Sequence, residues 1–119
     1  MKRIENPNNN EWVTKYNNLM EKSFSHPEIY GDRKLGIHHI IPRSIAPDLT
    51  NDPDNQVLLP FQEHMDAHYY LWKSDPKWAR QLWFGCVYGR KNGLWDLPGG
   101  DTEYEQLKKD LRRDNNENN

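Results

Sequence analysis

Four of the chain's five histidines fall within 31 of its 119 residues, as an adjacent pair, His38-His39, and a second pair four residues apart, His64 and His68. The adjacent pair sits in a short apolar run, Ile37 to Ile41, that Pro42 ends. A run of that length bounded by proline reads as a strand, and a regular strand sends successive side chains to opposite faces. The second pair lies where Phe61, Met65, His68 and Trp72 recur at helical spacing. One turn apart on a helix, two imidazoles point to the same side and can reach one metal ion. One histidine of the strand pair can then be a ligand while the other faces a substrate.

Composition narrows what surrounds them. Only 34% of residues are hydrophobic and the mean hydropathy is −1.13, so a domain of this size has a modest core that a bound metal would help hold together. Five Trp, six Tyr and three Phe nevertheless exclude a wholly disordered chain. The one cysteine, Cys86, allows neither an intrachain disulfide nor a cysteine zinc knuckle. It reads as a buried small apolar side chain, in keeping with a reducing compartment. MKRIENPNNNEW has no apolar core, so neither a signal peptide nor a membrane span is expected there, and a cytoplasmic location is. The net charge of −2 is unlike that of most nucleic-acid partners. Its distribution is uneven, however, with Lys73, Lys77, Arg80, Arg90 and Lys91 facing only Asp75 and Asp96 between residues 73 and 98.

One domain over 1–119 is expected, of α+β class: a two-stranded antiparallel hairpin packed on a helix, with flanking helices. The first helix covers about 11–23, with Asn10 as its N-cap. SHPEIYGDRKLG is a loop, and Val57-Leu58-Leu59, closed by Pro60, is the second strand. After the 61–72 helix, Asp75 and Pro76 start another over about 76–88. Thr102 and Glu105 form a capping box for a last helix at about 103–113. Asn8 to Asn10 and the DNNENN terminus read as frayed or disordered ends. Trp72, Trp78 and Trp83 read as core, and His26, before Pro27, as an ordinary exposed residue.

GIHHIIPRS followed by DNQVLLPFQEHMDAHYYL resembles the HNH endonuclease family with its ββα-metal core, which here would span about residues 30–72. It is most similar to the small phage-type and homing members, and the histidines after Asn55 are spaced as in the colicin DNase branch. The resemblance implies His38, His64 and His68 as metal ligands, His39 as general base, and Asn55 as the residue that ties the hairpin and orients that base. Arg43 is then a candidate phosphate contact, as are Arg90 and Lys91, though a solvated turn serves those two equally well. Two departures stand out: IAPDLTNDPDN lacks the Gly-Gly turn common between the strands, and the chain has no room for a separate DNA-reading module.

These residue types suit phosphodiester hydrolysis, which needs an activated water, charge relief on the phosphoryl oxygens and help for the departing 3′ oxygen. An ordinary imidazole is mostly neutral at pH 7 and can accept the water's proton. The expected cofactor is one divalent ion, Zn, Ni, Mn or Mg, with a transition metal favoured at rest because imidazole suits it better than it suits Mg. The expected partner is double-stranded DNA, held through phosphates and therefore salt-sensitive. The competing reading is a metal-stapled nucleic-acid or protein interaction module without catalysis, which leaves His39 and Asn55 without a task.

Overall fold

The computed structural model describes the backbone of residues 1–117 and side chains as far as Arg113. Asn10 opens the first helix, α1 (Glu11–Ser25), by accepting from the backbone N–H groups of Trp12 and Val13 at 2.8 and 3.3 Å. This satisfies two donors that a helix start would otherwise leave open. The asparagine-rich start is tied down rather than frayed. Asn6 Oδ1 accepts from the Asn10 N–H at 2.7 Å, Asn17 brackets the Ile4 backbone, and the Lys2 N–H reaches the Asp54 carbonyl at 2.7 Å.

After a short 3₁₀ turn at Pro27–Tyr30, inside the expected loop, comes β1 (Leu35–His39). It pairs antiparallel with β2 (Gln56–Pro60) in the register Leu35↔Pro60, Ile37↔Leu58, His38↔Val57 and His39↔Gln56. β1 stops two residues before the expected Ile41. The next rung is only half made: Ile40 N–H donates to the Asn55 carbonyl at 2.9 Å, but the Asn55 N–H turns to the Asp52 carbonyl at 2.9 Å, and the Asn55 Oδ1 accepts from Ile41 N–H at 2.8 Å.

β2 runs directly into α2 (Phe61–Ser74), so the hairpin and the second histidine pair belong to one continuous unit. Asp75 caps the next segment by accepting from Lys77 N–H, but residues 76–78 wind as a 3₁₀ turn and α3 spans Ala79–Lys91. α3 approaches α2 closely at Gly85, where an added Cβ would run into the Met65 thioether. The last helix, α4 (Asp101–Glu117), starts one residue before the Thr102 expected to cap it. Gly99 and Gly100, at φ 88° and 65°, turn the chain so that the helix is already under way at Asp101. α4 also runs through most of the segment expected to be disordered; Asn118 and Asn119 lie outside the described residues.

The fold is thus α+β, a two-stranded antiparallel hairpin with four helices. One apolar cluster draws on α1 to α4 and both strands, with Tyr16, Met20, Ile40, Leu59, Leu71, Leu82 and Leu107 fully buried. Trp72, Trp78 and Cys86 are in this core as expected, whereas Trp83 is only partly buried against it. Trp72 donates its indole N–H to Asp110 at 2.7 Å, which pairs the buried carboxylate and pins α4 onto α2. Among the described residues, no helix is long and apolar enough to cross a membrane.

Candidate metal centre

Strand alternation separates the adjacent histidines as their positions require. His38 turns inward and is 3% exposed; His39, at the end of β1, faces the other way and is half-buried. Inward, His38 meets the two imidazoles of α2. Ring centroids lie 4.9 Å apart for His38–His64, 5.1 Å for His38–His68 and 4.9 Å for His64–His68. One nitrogen from each of the three falls within 4.8 Å of the others, and this group could hold a metal ion.

The donor chemistry fits a cation. His68 as a residue is partly buried, but its Nδ1 is fully buried with no hydrogen-bond partner, a costly arrangement for a group with nothing to bind. Burial holds all three imidazoles below the ordinary histidine range, His68 down to about 3, and the neighbouring histidine rings push the same way. The three are therefore neutral at pH 7, the form a metal requires. At His38 the Nε2 lies 2.7 Å from the Tyr16 hydroxyl, which also donates to the Ile40 carbonyl at 2.7 Å.

The same depression sets a pH dependence. Each of these histidines is neutral when folded but takes a proton below about pH 6.5 once unfolded. Their contribution to stability is fully present above that value and is lost as pH falls toward the folded-state values, at about 1.4 kcal/mol per pH unit for each imidazole. Thermal melts of the metal-free chain should show the histidine contribution flat between pH 7 and about 8 and a steep loss from pH 6.5 downward. A melting temperature unchanged between pH 7 and 5 would contradict the buried neutral cluster.

His39 lies outside the cluster but opens onto the same cavity of about 520 Å³ as His38, His64 and His68. Its Nε2 is 3.0 Å from the Thr50 carbonyl. A carbonyl only accepts, so Nε2 carries a proton, and in the neutral ring the lone pair is on Nδ1.

No family model, curated protein or solved structure matches the chain.

Asn55 is fully buried. It sits in a 3₁₀ turn at Pro53–Asn55, immediately before β2. Its carboxamide brackets Ile41, accepting from the N–H at 2.8 Å and donating to the carbonyl at 3.1 Å, and its Nδ2 also reaches the Leu49 carbonyl at 3.4 Å. One side chain thereby fastens the end of β1 to the loop that carries Thr50. Asn55→Ala leaves both partly buried Ile41 groups without their partner and empties a fully buried side chain's place, and urea unfolding should register a loss of about 3 kcal/mol. A loss under 1 kcal/mol would mean that water replaces the clamp.

The cavity also gathers Arg43 and Ser44 at an exposed rim. Arg90 and Lys91 do not join it. They end α3, and Arg90 is held by Asp96 at 3.6 Å and stacks on the Tyr104 ring at 4.4 Å. Their expected shared role with Arg43 finds no geometric support at this cavity. Sequence reasoning missed Tyr16, which sits in helical phase with apolar neighbours and reads as core, and Gln81, a cavity-lining residue whose Oε1 is buried without a partner. No spacing rule marks either of them.

Proposed function

We propose that this chain is a metal-dependent DNA endonuclease of the HNH type, with β1, β2 and α2 as its ββα-metal core. One observation carries the reading. An imidazole with a free Nδ1, His39, stands beside a cluster of three neutral imidazoles, outside it, and opens onto the same cavity. A purely structural metal site has no use for that fourth histidine or for the clamp that fixes it.

A divalent ion held by His38, His64 and His68 would supply positive charge to the scissile phosphate and to the departing 3′ oxygen. His39 takes the proton of an attacking water at Nδ1, while the Thr50 carbonyl keeps the opposite nitrogen protonated and the ring oriented. Asn55 holds that geometry by locking the strand end and the Thr50 loop together. Arg43, exposed at the rim, is placed to contact a backbone phosphate of double-stranded DNA. In-line attack by the water leaves 5′-phosphate and 3′-hydroxyl ends. Three imidazole donors favour Zn or Ni at rest over Mg, which prefers oxygen ligands, with Mn between them.

Supercoiled plasmid incubated with the chain and Mg, Mn, Ni or Zn in turn tests the reading. Conversion to nicked or linear DNA is expected with at least one ion, and EDTA should stop it. A chain that binds metal at these histidines yet leaves plasmid intact with all four ions would instead be a metal-stapled interaction module.

A further inference from the structure

We propose that Tyr16 is a positioning residue of the metal centre: it holds His38 as the Nε2-protonated tautomer, so that Nδ1 is the nitrogen His38 offers to an ion. The proposal rests on the reading that His38, His64 and His68 hold that ion.

The argument is one of proton counting. The Tyr16 hydroxyl has one hydrogen and two partners, His38 Nε2 at 2.7 Å and the Ile40 carbonyl oxygen at 2.7 Å. The carbonyl has no hydrogen, so that contact is a hydrogen bond only if the hydroxyl donates to it. The hydroxyl then has only lone pairs for His38, and the imidazole must donate. The reverse assignment would give the hydroxyl proton to Nε2 and leave two oxygen acceptors facing each other at 2.7 Å with no proton between them. Tyr16 is 0% exposed and His38 is 3% exposed, so solvent is poorly placed to relieve that arrangement.

With Nε2 protonated, the lone pair of His38 is on Nδ1. A metal-binding histidine whose other nitrogen donates to a fixed acceptor is the usual way of setting ring orientation and raising ligand basicity. Here the acceptor comes from α1, which lies outside residues 30–72 and has no ligand of its own. The relay from His38 through Tyr16 ends on Ile40, the residue after His39. One buried hydroxyl therefore fixes the ligand and the end of the strand bearing the proposed base.

The test is a long-range proton–nitrogen correlation spectrum of the full chain, ¹⁵N-labelled and loaded with zinc. His38 is expected to keep a protonated Nε2 and to show zinc at Nδ1. Zinc on Nε2 of His38 overturns the proposal. A second measurement compares zinc affinity in Tyr16→Phe, which keeps the ring but removes the hydroxyl, by competition with a chromophoric chelator. A loss of about 10- to 100-fold is expected, together with a smaller zinc-induced rise in melting temperature. If Tyr16 were only a core residue, melting would fall equally with and without zinc, and a folded variant with wild-type zinc affinity also overturns the proposal. Should the variant fail to fold, the wild-type spectrum decides alone. A wild-type chain that binds no zinc at all defeats the three-histidine reading itself, and that failure is visible without the variant.

Discussion

Replacing His39 by alanine is expected to lower plasmid cleavage by about 10²–10⁴-fold, the usual cost of removing a general base, while the ion stays bound at wild-type stoichiometry. The contrast follows from the strand. His39 opens onto the same cavity but lies outside the three-imidazole cluster and makes its hydrogen bond to Thr50, so its loss takes nothing from the ligand set. It is not part of the fully buried core, so truncation should cost little stability. Cleavage assays under saturating metal, paired with elemental analysis of the purified variant, separate the two quantities. A variant that cuts at the wild-type rate would remove His39 from the mechanism. One that loses the ion as well would make it a ligand.

His64→Ala combined with His68→Ala should have the opposite signature. Two of three donors go, leaving His38 alone in a site that a single imidazole cannot fill. Metal binding in small zinc domains is worth about 10–16 kcal/mol shared over four ligands, or roughly 3 kcal/mol each. Two missing ligands then correspond to a loss of about 10⁴-fold in affinity. Dialysed protein should contain no stoichiometric metal, and cleavage should disappear with it. The acid sensitivity of the metal-free chain should also flatten, because two of the three imidazoles kept neutral by burial are gone. Undiminished metal in the double variant would place the ion elsewhere.

The elements nearest the histidines were the most legible in the sequence. Strand alternation at His38-His39 and the one-turn spacing of His64 and His68 are periodicities, and periodicity survives folding. The N-cap at Asn10 was legible for the same local reason: its side chain needs only the next two or three residues. What sequence could not supply came from partners far along the chain. Nothing in Tyr16 distinguishes a core phenol from one bonded to His38, because that bond spans 22 residues. The Asn55 carboxamide takes both Ile41 backbone groups from 14 residues away. The Thr102 cap failed on a nearer cause, the positive φ of Gly99 and Gly100, which moved the helix start from the expected 103 to Asp101. Arg90 and Lys91 looked available by charge alone, yet Asp96 and Tyr104 claim Arg90 at the far end of α3.

The hairpin also makes the chemistry a matter of parity. The two histidines that would do different work are consecutive on β1, and only the pleat tells them apart. Displace β1 along β2 by an odd number of residues and the pair trade places, with His39 delivered to the cluster and His38 left facing outward. An even displacement restores the sides but gives each the wrong neighbours. The connection between the strands is free to lengthen, shorten or change sequence without touching this distinction. What must be preserved is the pairing itself, His38 opposite Val57 and His39 opposite Gln56, and Asn55, next to Gln56 and bonded to Ile41, is the fixed point from which odd and even are reckoned.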